Sequence, residues 1–143
     1  MKNFSTSSKK KRMERIPSDV KTAAQKGLKL LELGFKGGTQ TGWDRGRQLA
    51  SAKTISLADL NVMRAWFARH GPDAKNGGTS YPGYCQWLAT NQPHPGRHRG
   101  AVSWLLWGGD AAYKWLKTSK IRKRLKDQYP SHKESTLKIN LSC

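Results

Sequence analysis

The chain has 143 residues and carries 27 Lys and Arg against 9 Asp and Glu, a formal net charge of +18 with a hydrophobic fraction of only 36%. The length suits a single domain, and so large an excess of one sign seeks a polyanion: nucleic acid, anionic lipid headgroups or an acidic protein surface. The longest apolar run is 101–107, interrupted by one Ser and far short of the roughly 18 residues a membrane span needs; no apolar stretch follows the basic start, so a secretory leader is not expected.

Residues 1–15 hold six bases (Lys2, Lys9, Lys10, Lys11, Arg12, Arg15) against Glu14, and read as a flexible basic arm with little to bury. The Lys9–Arg12 cluster also has the composition of a nuclear-import patch, a pattern common in basic tails. Residues 16–128 form the expected core. Pro17 and Ser18 open a helix, with Ser18 the expected N-cap. Val20, Ala23, Ala24, Gly27, Leu28 and Leu31 lie on one face of it, and Gly34 ends it. Gly34–Gly46 reads as a loop, followed by a short helix around 47–50. Ser56 caps the next helix, with Asp59 in the position of a capping carboxylate. Its stripe is Leu57, Leu60, Met63, Arg64, Phe67 and Ala68 with Trp66 on the flank, and Gly71-Pro72 stops it.

Residues 71–100 are rich in Gly, Pro, Asn and Ser and read as an irregular region with one or two helical turns at 84–89. A short apolar helix follows at 101–107. Gly108-Gly109 breaks it, and Asp110 is expected to cap a last helix running to about 128. On that helix Ala112, Trp115 and Leu116 face the core, while its distal half keeps only Ile121 and Leu125 apolar and reads as a solvated or partner-bound basic rod. Residues 129–143 form a polar tail, and 111–143 hold nine bases against Asp127 and Glu134. The pattern has no internal repeat and no useful strand alternation. It predicts an all-α fold: a small orthogonal helical domain of five to six helices with long Gly/Pro-rich loops and basic terminal arms.

The Gly-rich loop at 34–46 fits neither GxxxxGK(S/T) nor GxGxxG and follows no strand, so turn-forming glycines that seat Trp43 explain it better than phosphate binding does. Cys85, His94 and His98, with His70, are the one candidate zinc set, but a lone Cys with loop histidines lacks the second half of a zinc motif. No cofactor or metal is expected. Cys85 and Cys143 are too few for a disulfide framework and read as free thiols in a reducing intracellular compartment, host cytoplasm or nucleus. His70 and Asp73 flank a helix end, and Asp44 and Asp110 read as N-caps, so no acid–base pair stands out and the expectation is a protein that is not an enzyme. The six Trp read as core, with Trp87 the expected exposed exception.

Five blocks carry a resemblance: IPSDV (16–20), GFKGGT (34–39), RGRQLAS (45–51), MRAWFARH (63–70) and WLLWGGDAAYKW (104–115). In these the chain resembles a small helical module found in proteins of tailed phages and of large DNA viruses that infect algae. Members of that module have a shorter link between the RH and LLWGGDA blocks, so 71–100 reads as an expanded loop. The resemblance brings no catalytic residue and implies a viral protein, chlorella-type viruses being the leading expectation.

Together these readings predict a non-enzymatic minor capsid or virion-interior protein that bridges capsid subunits through its arms, located in the virion. Its partners would be other capsid proteins, the major shell protein or neighbouring minor proteins, and no small-molecule substrate is expected. The alternative is a non-specific nucleic-acid-binding accessory protein of a DNA virus or phage, with viral DNA or an anionic membrane surface as the partner. The residues expected to carry binding are Lys9, Lys10, Lys11 and Arg12, then Tyr81, Tyr84 and Trp87, then Arg122, Lys123, Arg124 and Lys126.

Overall fold

The computed structural model describes residues 13–74, 78–90, 99–130, 141 and 143. It is all-α apart from one pair of short strands. In chain order the elements are β1 (Met13–Arg15), α1 (Ser18–Glu32), α2 (Gln40–Ser51), β2 (Thr54–Ser56), α3 (Leu57–His70), α4 (Ser80–Ala89), α5 (Arg99–Leu106), α6 (Gly109–Leu116) and α7 (Ser119–Gln128). Among the described residues there are thus seven helices, where the periodicity predicts five to six.

The strands are the first departure from the expected flexible arm. β1 runs antiparallel to β2, with Met13 opposite Ser56, Glu14 opposite Ile55 and Arg15 opposite Thr54. Glu14 and Ile55 both point inward, at 3% and 1% exposure, as partners on one face of a ladder must. Three residues are too few to leave an alternating pattern that a sequence can show.

α1 buries Val20, Ala24, Gly27 and Leu30. Its N-cap is Pro17, and Ser18 makes no capping bond. The C-terminus closes as expected on Gly34, whose φ is 98°. The Gly34 N–H donates to the Leu31 carbonyl (3.1 Å) and the Phe35 N–H to that of Leu30 (2.9 Å), the paired bonds of a Schellman end, with Leu30 and Phe35 packed in one cluster.

α2 begins seven residues earlier than the sequence pattern suggests. Thr39 caps it by accepting from the Gly42 N–H at 3.5 Å, so Asp44 is not its cap; that carboxylate accepts from Gln40 and Arg47 on the surface. Gly42 and Gly46 look like loop residues but lie inside the helix, because α5 and the residue after it come too close for side chains. A Cβ on Gly46 would lie 2.6 Å from a Leu106 methyl.

Ser56 caps α3 as expected, its hydroxyl accepting from the Asp59 N–H at 3.1 Å. The Asp59 carboxylate does not complete a capping box; it accepts from Gln48 at 2.9 Å and pairs with Arg45 at 3.4 Å. Leu57, Leu60, Met63, Trp66 and Phe67 are buried, and Gly71 ends the helix.

The region 71–100 holds a ten-residue helix, α4, longer than the one or two turns expected; Pro82 sits in its first turn, where a missing N–H costs nothing. The last helix is not continuous. Lys117 and Thr118 interrupt it, the Thr118 hydroxyl donating to the Trp115 carbonyl at 2.7 Å, a local bond that competes with helix continuation. The break turns α7 so that Ile121 and Leu125 bury at 2% and 0% exposure. The basic rod is therefore docked on the core.

Trp104, fully buried, is the centre of an aromatic cluster with Phe67 edge-on at 5.1 Å and Tyr81 at 5.0 Å. Trp66 and Trp107 stack at 4.9 Å. Trp87, expected to be exposed, is 2% exposed and packs with Ala101, Val102 and Leu105. The tail also returns to the core: Leu141 packs against it and Cys143 is disulfide-bonded to Cys85, with the Cα atoms 5.2 Å apart. This corrects the expectation of two free thiols. Two Cys separated by 58 residues give no sequence signal of pairing.

Candidate functional site

The expected binding residues fall into three groups that the fold treats differently. Lys9, Lys10, Lys11 and Arg12 lie outside the described residues. Tyr81 and Trp87 are buried, and Tyr84 is half-buried against the core. Burial, reinforced by the nearby Asp110 carboxylate, raises the pKa of both Tyr81 and Tyr84. The Tyr81 hydroxyl lies 3.7 Å from the Cys143 sulfur.

Arg122, Lys123, Arg124 and Lys126 are on α7, and here the structure adds a partner that the sequence hides. The buried Glu14 carboxylate accepts from Arg124 and lies 3.9 Å from Lys120. That pairing fastens β1 to α7 across a separation of 110 residues. Met13, which follows Arg12 in the chain, thus opens a strand held against the basic helix. Lys123 pairs with Asp127 at 3.5 Å, one turn away on the surface, while Lys126 is exposed.

Several of the carboxylates are committed to partners within the fold. Glu14 is taken by α7 and Asp59 by Arg45 and Gln48. Asp73, only 4% exposed, binds Lys117 and accepts from the Tyr113 hydroxyl at 2.8 Å. Asp110 is not an N-cap: Gly108 holds that position, and the Asp110 carboxylate instead accepts from the buried Trp104 indole at 2.8 Å. Asp73 thus partners Tyr113 and Lys117 and makes no acid–base pair with His70. Burial, with Arg69 adding to it, lowers the His70 pKa. Exposed cations such as Arg15, Lys26, Lys36, Lys53, Arg69 and Arg99 face solvent, and among the described residues no carboxylate partners them.

A second feature was hidden by reading the starts of α2 and α4 as loop. A cleft of about 340 Å³ lies between helix ends and is lined by Gly38, Thr39, Trp66, His70, Thr79, Ser80, Arg99, Gly100, Ser103 and Trp107. Thr39 is the N-cap of α2, Thr79 the N-cap of α4, and Arg99 the first residue of α5. Three helix starts therefore converge on it. Gly100 lets two of them touch, since a Cβ there would stand 3.0 Å from the Thr79 carbonyl oxygen; one on Gly37 would stand 2.5 Å from that of Arg99. Two Thr N-caps and the first residue of a third helix brought to one place leave no signature until the helices are folded together.

Among the described residues no group of three His, Cys, Asp or Glu side chains is placed to hold a metal. Cys85 is committed to its disulfide, while His94 and His98 lie outside the described residues. No described helix is long and apolar enough to cross a membrane. No family model, curated protein or solved structure matches the chain.

Proposed function

We propose that this protein is a non-enzymatic structural component of a viral particle, a basic minor capsid or virion-interior protein that bridges acidic surfaces of neighbouring capsid subunits. The observation that carries the reading is the Glu14–Arg124 pairing, which fixes the N-terminal strand, with Arg15, against the basic helix α7 as one basic pole. A pole of that kind is a docking surface for a partner of opposite sign: attraction between complementary patches steers encounter and fixes orientation. The internal pairing of Glu14, Asp73 and Asp110 strengthens it, because those carboxylates are not on the surface to offset the outward-facing Lys and Arg. The resemblance to a module of phages and algal DNA viruses supports the particle as the setting.

The C-terminal tail has a different role from the bridging arm expected of it. Pinned through Cys143, its end closes onto the core, so bridging falls to Lys9–Arg12 and the exposed face of α7. Purified particles should contain this protein in fixed stoichiometry with the major shell protein. Replacing Lys9–Arg12 by alanine should release it from particles while leaving its fold intact. Absence from particles would overturn the reading. So would a duplex-DNA affinity that falls roughly 10³–10⁵-fold between 50 and 200 mM salt, as six to ten phosphate contacts require, together with no measurable affinity for shell protein.

A further inference from the structure

We propose that the cleft at the starts of α2, α4 and α5 is a binding site for a phosphate monoester of about mononucleotide size. The phosphate sits over the converging helix starts, held by Arg99, the Ser80 hydroxyl and backbone N–H groups of α4. Each helix start carries roughly half a positive charge, and an isolated start is only a weak attraction. Here three abut through Gly37 and Gly100, and Arg99 adds a full charge at the first residue of α5. Like poles held together repel one another. Among the described residues that line the cleft none is acidic, so a bound anion is what would relieve that repulsion.

The donors are available. Thr79 makes no side-chain cap to α4, so the Ser80 and Tyr81 N–H groups, which precede the first intrahelical donor, have no partner among the described residues. Ser80 is only 5% exposed and lines the cleft, yet its hydroxyl has no hydrogen-bond partner among the described residues. A hydroxyl that lines the cleft without a partner in the fold is open to a ligand oxygen. Arg99 has no acidic partner among the described residues, and its planar fork suits two phosphate oxygens at once. The volume of about 340 Å³ falls in the range of small-molecule sites. Trp66, Trp107 and the largely uncharged His70 ring provide an apolar wall for the group that bears the phosphate.

This inference does not rest on the particle role, since it is read on the isolated chain. Calorimetry and amide NMR with AMP should give one saturable site, with the Ser80, Tyr81 and Gly100 amides moving most; adenosine, lacking the phosphate, should leave them in place. Arg99 is exposed, so Arg99→Ala keeps the fold. It should weaken AMP by roughly tenfold or more, the loss of a charge-assisted pair, with Arg99→Lys between. Lys26→Ala removes the same charge from exposed surface and should change affinity less than about twofold if the site is local. A 5′-phosphorylated oligonucleotide that competes with AMP, where its 5′-hydroxyl form does not, identifies a strand end as the source; AMP binding without such competition identifies a free nucleotide. The proposal is overturned if AMP moves amides across the basic surface without saturating, or if Arg99→Ala and Lys26→Ala weaken it equally.

Discussion

Gly108→Ala tests the turn on which the core depends. Gly108 sits between α5 and α6 at φ 104°, and a Cβ built there would lie 2.4 Å from the Ala112 Cβ and 3.1 Å from a Val20 methyl. Val20 and Ala112 are both at 0% exposure, so neither can move toward solvent. The left-handed backbone costs an L-residue about 1–2 kcal/mol, and forcing a methyl into a filled core about 1–3 kcal/mol. The expected loss is therefore about 2–5 kcal/mol, a large part of the roughly 5–15 kcal/mol that holds a domain together. Gly109→Ala is the control. It has φ 63° and a nearest contact of 3.2 Å to the Ala23 Cβ, so it should pay the backbone term of about 1–2 kcal/mol with little overpacking. Urea unfolding followed by Trp fluorescence reads both, at unchanged slope if the denatured state is unaffected. A Gly108→Ala loss under about 1 kcal/mol, or a larger loss at Gly109 than at Gly108, would refute the reasoning.

Asp110→Ala should cost about 1–3 kcal/mol by orphaning the buried Trp104 N–H, whereas Asp110→Asn keeps an acceptor oxygen and should cost less; either change should bring the Tyr81 and Tyr84 pKa values down in an absorbance titration, because the Asp110 charge helps to raise them. Cutting the Cys85–Cys143 bridge, with its separation of 58 residues, should cost about 4 kcal/mol on the chain-entropy estimate; a thiol assay that finds two free thiols in the untreated protein refutes the pairing. Tyr113 has its pKa raised by burial first and by its bond to Asp73 second, so the folded state favours the neutral phenol. Its contribution is complete below the unfolded tyrosine value near 10 and is lost above it, at up to about 1.4 kcal/mol per pH unit; Tyr113→Phe should flatten the alkaline fall in stability measured by urea unfolding.

Helix existence was legible wherever an apolar stripe and a stop signal coincided. Leu57 to Phe67 with Ser56 before and Gly71 after reads cleanly, and so does Val20 to Leu31 with Gly34 behind it, although Leu30 rather than Leu28 or Leu31 is the buried leucine. The pattern failed where tertiary packing overrides local preference. Gly42 and Gly46 weaken a helix on their own, and only the approach of Trp107 and Leu106 explains why they are there. Asp110 was misread because a carboxylate after two glycines looks like a cap, while its actual partner, Trp104, lies six residues earlier on another helix. The Glu14–Arg124 pair, the Cys85–Cys143 bridge and the cleft share one property: each joins residues far apart in the chain. Composition announced the charge but not its geometry. The expected exposure of Trp87 failed for the same reason, since an aromatic residue in an irregular region gives no hint that α5 will cover it.

The two anion-seeking features of this molecule differ in physical kind. On β1 and α7 the charge is carried by long, solvated side chains, so its attraction is broad and is screened beyond roughly 8 Å at physiological ionic strength. Such a surface attracts a large polyanion and places few demands on its shape. In the cleft the positive character comes mostly from backbone dipoles fixed by packing, with Arg99 at the rim and the Ser80 hydroxyl below. Those groups pay no ordering cost on binding and sit close enough to a ligand that salt screens them less. The glycines that allow helix starts to touch belong to the core packing, Gly37 beside the buried Val102 and Gly100 against Thr79 and Ser80. On the proposed readings, the basic pole would set what kind of surface the protein approaches, and the cleft which small group it holds once there.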